Sequence, residues 1–248
     1  MRRLPLAAVR VLELGAAWAG AYCARLLGDV GAEVIRVEPV ARHDGPDEQR
    51  LSLHLNRNKL GCTLDLSHPR GRDLLLRLAA SSKVVIEGLA GGERGRLGLM
   101  YEAFQAARRD IIVAFVGGPE GEAGISVADV ATGTAAAGAV CAALLHHRRT
   151  GGGLRIETAA PATARTPPLP SDPHLGELRL FEPVSHPDGR IEEMAALPWR
   201  FSETPTHIRL PAPRPGEHNR YVFGDLLDLS SQEMAELERE GAIGPREA

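Results

Sequence analysis

The first 158 residues alternate short apolar runs with helix-length amphipathic ones, and nothing else in the chain constrains the fold as strongly. Val9, Val11 and Leu12 lie in a run too short for a stable helix and read as a buried strand. The small-residue turn Gly15-Ala16-Ala17-Trp18-Ala19-Gly20 leads into a helix with Leu26, Leu27 and Val30 on one face. Gly31 ends that helix, residues 32–38 form the next strand, and Pro39 stops it. The pattern continues with a strand at 62–66 and a helix at 68–80 that has Pro69 in its first turn. A strand at 84–86, a helix at 100–108, a strand at 111–115 and an alanine-rich helix at 132–148 follow. Apolar strands separated by helices imply a parallel sheet covered on both faces, an α/β, Rossmann-like architecture.

Composition narrows the function classes. The 248 residues are 44% hydrophobic and 25% charged, which excludes wholesale disorder. Aromatic residues make up only 4%, so the core must be built from Ala, Leu and Val. A net charge of −3 gives no general case for a nucleic-acid or anionic-membrane partner. Cys23, Cys62 and Cys141 stand far apart, which argues against a disulfide framework or a cysteine zinc site and fits a reducing compartment. Arg10 and Glu13 interrupt the apolar stretch that the basic start would need as a signal peptide. The apolar run 135–145 is too short to span a bilayer. The expectation is a cytoplasmic protein with no membrane partner.

Three regions follow from this pattern: a core domain at 1–158, a proline-rich linker at 159–176, and a segment at 177–248 packing back on the same domain. In the last, residues 178–181 and 190–191 read as short strands about the turn Pro187-Asp188-Gly189. Ser230 and Glu233 form a capping box that opens a final helix, and Gly241 stops it.

Gly15 and Gly20 are spaced like the first and third glycines of a dinucleotide fingerprint, and Glu38 ends the second strand where a ribose-binding acid would sit. Ala17 at the middle position and Trp18 beside it weigh against that reading and favour close helix–strand packing. Asp129, in Val127-Ala128-Asp129-Val130-Ala131-Thr132-Gly133, has two readings: a helix N-cap, or a nucleophile that forms an acyl intermediate. The histidines show no metal spacing, since the adjacent His146 and His147 point to different faces of a helix. No metal is expected.

Taken in order, several segments resemble the class III CoA-transferase family, the CaiB/BaiF group that includes formyl-CoA transferase and α-methylacyl-CoA racemase. They include Val9-Arg10-Val11-Leu12-Glu13-Leu14, Leu26-Leu27-Gly28-Asp29-Val30-Gly31-Ala32-Glu33-Val34-Ile35-Arg36-Val37-Glu38-Pro39 and Leu55-Asn56-Arg57-Asn58-Lys59. Thr63-Leu64-Asp65-Leu66, Arg96-Leu97-Gly98-Leu99, Val127-Ala128-Asp129, Arg149-Thr150-Gly151-Gly152-Gly153 and Gly216-Glu217-His218 continue the match. The resemblance implies an acyl-CoA donor and a carboxylic acid acceptor as substrates, with no tightly bound cofactor. It places the covalent nucleophile at Asp129. Trp18 and Ala19 match the loop that meets the nucleotide, and Pro39 follows the strand bordering the adenosine. Leu64, Asp65, Leu66 and Ser67 match a backbone-lined part of the CoA site, and Arg96 a basic residue near the phosphates. Gly88 and Leu89 replace the family's Asn-Phe, leaving a glycine-rich loop at 88–98 to offer backbone amides.

Two departures stand out. After Gly117-Gly118-Pro119 the chain jumps almost directly to the segment with Asp129, skipping the stretch that carries the racemase histidine. After Glu157-Thr158 most of the family's small domain is missing. CoA transfer through Asp129 is therefore the leading expectation. The alternative is a catalytically reduced CoA-binding subunit that pairs with a full-length family member, and α-carbon racemisation is the harder chemistry to sustain. Homodimer or heteromer formation is expected from the resemblance.

Overall fold

Six strands form one parallel sheet in the order β3-β2-β1-β4-β5-β6. They are β1 (Arg10–Gly15), β2 (Glu33–Glu38), β3 (Lys59–Thr63), β4 (Val84–Gly88), β5 (Ile112–Val116) and β6 (Leu154–Thr158). The computed structural model describes residues 4–40, 52–89, 91–117, 125–158, 181–186, 189–195 and 207–244. The helices between the strands are α1 (Trp18–Asp29), α2 (Pro69–Ser81), α3 (Gly91–Leu97), α4 (Tyr101–Ala107) and α5 (Val127–Thr150). Because side chains alternate along a strand, each strand feeds two cores. Leu12, Leu14, Ile35, Val85, Val113 and Phe115 pack with Leu74, Leu78, Leu97 and Phe104 of α2 to α4. Val11, Val34, Ile86, Ala114 and Val116 pack with Leu27 of α1 and Ala136 and Val140 of α5 on the other face.

That division has a topological consequence. The β1–β2 and β5–β6 connections cross the same face of the sheet in opposite directions. They therefore have opposite hands, and one departs from the right-handed rule for parallel crossovers. The departure brings α5 beside α1. By length and composition α5 is apolar enough to cross a membrane; in the fold it packs on α1, β5 and β6.

A buried charge network lies where β1 to β3 meet α1. Arg36 donates to Glu13 at 2.7 Å and to Glu38 at 3.2 Å. Lys59 Nζ sits 2.7 Å from the other Glu13 oxygen and donates to the Ala21 carbonyl at 2.9 Å and Asn56 Oδ1 at 3.0 Å. Arg57 grips Asp29 through Nε at 3.1 Å and a terminal nitrogen at 2.7 Å. The Asn56-Arg57-Asn58-Lys59 block thus ties β3 to α1 rather than facing a ligand.

Residues 207–244 share the core on the α2 side through Val222, Phe223, Leu237 and Ile243. They carry a π-helical turn at Arg220–Asp225 and a final helix, α6 (Ser231–Arg239). This segment hydrogen-bonds along the outer side of β3. Gly61 N–H donates to His218 Nδ1 at 3.2 Å, Thr63 N–H to Asn219 Oδ1 at 3.1 Å, and His218 N–H to the Gly61 carbonyl at 3.0 Å. A separate antiparallel pair joins β7 (Phe181–Ser185) to β8 (Ile191–Ala195).

Several boundaries differ from the sequence reading. β3 spans 59–63 rather than 62–66, because buried Lys59 looks like a loop residue until its carboxylate partner is known. Residues 91–97, expected in a loop, form α3. α5 begins at Val127 rather than Thr132, with Ser126 as N-cap. The linker at 159–176, residues 178–180, and Pro187 and Asp188 of the expected turn lie outside the described residues.

Candidate active site

Asp129 sits in the first turn of α5 and is 3% exposed. The N-cap reading of this residue is corrected: Ser126 is the cap and Asp129 is the third helical residue of a capping box. The Asp129 N–H donates to Ser126 Oγ at 3.1 Å. In return Asp129 Oδ2 accepts from the Ser126 backbone N–H at 2.9 Å and from its hydroxyl at 2.7 Å. Oδ1 accepts no hydrogen bond from any described residue. One carboxylate oxygen is held by Ser126, and the other is open with respect to the described residues.

Gly133, one turn further on, sets the position of this turn. A Cβ there would lie 2.6 Å from the Ala19 carbonyl oxygen and 3.1 Å from the Tyr22 side chain, so only hydrogen fits between α5 and α1. The starts of the two helices are consequently side by side. Buried Ala19 and half-buried Trp18 open α1, and no side chain caps its first amides. Beneath α1, Gly15 has φ +98°, and a Cβ on it would come within 2.3 Å of the Gly88 carbonyl carbon. Ala17 N–H donates to the Gly88 carbonyl at 3.2 Å. Gly15 and Gly88 are paired at the carboxyl ends of β1 and β4, where the chain order reverses and α/β sheets bind ligands.

The other expected contacts line the same carboxyl edge of the sheet, and they differ in what they offer. Pro39 follows β2 and is exposed. Leu64, after β3, is a core residue whose N–H donates to the Glu38 carbonyl at 2.9 Å. Asp65 N–H donates to the Ala242 carbonyl at 3.0 Å, and Asp65 Oδ1 accepts from Ser67 N–H at 2.8 Å and Ser67 Oγ at 2.6 Å. Those Ser67 bonds hold the Asp65 carboxyl below its usual range. Leu66 packs partly buried on the core. The amides of Leu64, Asp65 and Ser67 are thus engaged within the protein.

The expected 88–98 amide loop is also corrected. Gly88 closes β4, the Leu89 N–H is spent on the Glu87 carboxylate, and α3 takes up residues 91–97. Glu87 is fully buried, 2.5 Å from Arg94, whose guanidinium stacks 4.2 Å above the Phe115 ring. Burial pushes the Glu87 carboxyl up, against the pull of the Leu89 amide and Arg94. Arg96 projects outward with its side chain 72% exposed, 3.7 Å from Glu93. It is the basic side chain of this stretch with the freest reach.

Sequence reasoning missed Ser126 and Gly133, although Ser126-x-x-Asp129 carries the same signal as Ser230-x-x-Glu233. It also missed Thr132, whose buried Oγ1 has no hydrogen-bond partner among the described residues. His147 is remote from Asp129, at the far end of α5, where Lys83 Nζ lies 2.9 Å from its Nε2. Among the described residues no group of three or more His, Cys, Asp or Glu side chains is arranged to hold a metal ion.

Residues 6–118 and 114–166 match the family model of CoA-transferase family III. The chain belongs to CoA-transferase family III. The succinyl-CoA:glutarate CoA-transferase of Mus musculus is 33% identical over 194 residues, which cover 62% of this family III chain and 44% of the mouse protein. The succinyl-CoA–L-malate CoA-transferase alpha subunit of Chloroflexus aurantiacus is 33% identical over 129 residues, covering 47% of this chain and 29% of that protein. The chain therefore spans less than half the length of these two relatives. In fold, it resembles a CAIB/BAIF family protein from Brucella suis, with a TM-score of 0.74 at 19% identity over 91% of this chain and 100% of the other. The segment of this family III chain that carries Asp129 lies inside the matched region.

Proposed function

We propose that this family III chain transfers CoA from an acyl-CoA to a free carboxylic acid, with Asp129 as the nucleophile. The observation that carries this reading is the Asp129 carboxylate, buried at the start of α5 with one oxygen held and the other open. An Asp129 oxygen attacks the thioester carbonyl, giving a mixed anhydride and CoA thiolate. The thiolate then attacks the Asp129 carboxyl carbon, releasing the donor acid and leaving an aspartyl-CoA thioester. The acceptor acid reverses both steps and leaves as its own CoA thioester. Splitting transfer this way exchanges one difficult step for several easier ones. The names of the relatives support small dicarboxylates as the substrate class. Trp18, Ala19 and Pro39 border the CoA site in this reading, Arg96 meets its phosphates, and no cofactor is tightly bound.

A second reading is favoured by one of these relatives, which is itself named as an alpha subunit. In it the chain is a catalytically reduced CoA-binding subunit that completes its site with a full-length family member, as a heteromer in the cytoplasm. Intact-mass spectrometry after mixing with a panel of acyl-CoAs, succinyl-CoA first, separates the two. A hydroxylamine-sensitive acyl or CoA adduct, absent from Asp129→Ala, is the expected result. CoA binding without an adduct, joined by turnover only when a full-length homologue is added, supports the subunit reading instead.

A further inference from the structure

The two capping boxes of this chain have nearly the same geometry and opposite surroundings. In α6, Glu233 Oε2 accepts from Ser230 N–H at 2.8 Å and from its hydroxyl at 2.7 Å, on an exposed surface. In α5, Asp129 Oδ2 accepts the equivalent pair from Ser126 at 2.9 and 2.7 Å, in the interior. Capping boxes ordinarily carry Glu or Gln at the third position. Here the third position is the shorter Asp, with its carboxylate held at nearly the same distances from the cap. Among the described residues Ser126 is the one residue donating to this carboxylate.

We infer that the Ser126 N–H and hydroxyl form the oxyanion site for every attack on the Asp129 carboxyl carbon. The inference rests on the nucleophile reading above. With Oδ2 held, Oδ1 is the oxygen that attacks the acyl-CoA carbonyl: the Oδ1–carbon bond forms, the carbon–sulfur bond breaks, and CoA leaves as thiolate. In the resulting anhydride Oδ1 is the bridge and Oδ2 the carbonyl oxygen. When the thiolate attacks Cγ, the electron pair of the Cγ–Oδ2 double bond moves onto Oδ2, where the two Ser126 donors stand at oxyanion-site distances. Collapse restores that double bond and breaks Cγ–Oδ1, so the donor acid leaves with Oδ1 and Cγ keeps the sulfur. The acceptor acid attacks the same carbon and develops the same charge on Oδ2. The first step, by contrast, places its charge on the oxygen of the substrate's own acyl group, which Ser126 does not hold. Ser126 therefore assists thioester formation on the protein more than it assists acylation of Asp129.

The test is the identity of the adduct, using the acyl-CoA that gives the largest wild-type signal. Ser126→Gly removes the hydroxyl while costing little as a cap, and Ser126→Thr retains it. The wild type and Ser126→Thr are expected to accumulate the CoA-mass adduct. Ser126→Gly is expected to shift to the acyl-mass adduct, with kcat lowered about 10²-fold. Ser230→Gly, an equal lesion to a cap, is expected to leave the adducts unchanged. An unaltered CoA-to-acyl ratio in folded Ser126→Gly overturns the inference and leaves the transferase reading standing. No adduct of either mass in the wild type overturns the nucleophile reading, and this inference with it.

Discussion

Lys59 shows how a single residue can be illegible in sequence and decisive in the fold. It is one of two lysines in the chain, and it is fully buried against Glu13. Burial lowers its pKa to about 8 despite the Glu13 carboxylate beside it. An unfolded lysine titrates near 10.4. Between these values the unfolded chain binds a proton that the folded chain lacks, so this group makes stability rise with pH from about 8 to about 10.5. Lys59→Met removes that slope, and at pH 7 it leaves Glu13 short of a partner. The expected cost is about 3 kcal/mol or more, as for other broken buried pairs. Urea denaturation of both proteins at pH 7 and pH 10 measures the two effects together.

Among the elements, the strand–helix alternation and the final capped helix were legible because each rests on local signals. Apolar run length marks β1, β2, β4 and β5, and Ser230 with Glu233 marks the start of α6. The start of α5 carries an equally local signal, but Asp in place of Glu at the third position hid it. What no local pattern records is which face a helix covers. The β5–β6 connection takes α5 to the face of α1, and only that choice sets the N-terminal part of α5, through Gly133, against Ala19 and Tyr22 of α1. The contact depends on Gly133. Gly133→Ala forces a methyl group against the Ala19 carbonyl, with an expected loss of about 1–3 kcal/mol from overpacking. Activity is expected to fall further than stability, because the start of α5 moves with the helix. Comparing urea midpoints with adduct yield for this variant measures both.

For the molecule as a whole, residues 207–244 do more than follow the sheet. Asn219 accepts from Thr63 N–H, and its side-chain amide donates to the Gly244 carbonyl at 2.6 Å, so one side chain joins β3 to the end of the described chain. Asn219→Ala leaves the Thr63 amide without its acceptor and is expected to cost about 1–3 kcal/mol. Hydrogen exchange at residues 61–63 is expected to accelerate before exchange at β1 or β4. An unpaired row of strand amides is also a template for aggregation, which natural sheets suppress by covering or charging their edges. On β3 the template is covered by the chain's own tail. On β6, where no described strand pairs outside, exposed Arg155 and Glu157 place charge along the rim. Of the two edges of the six-stranded sheet, β6 is thus the one that no described strand pairs, and strand addition is expected there before β3, which opens only when residues 207–244 peel away.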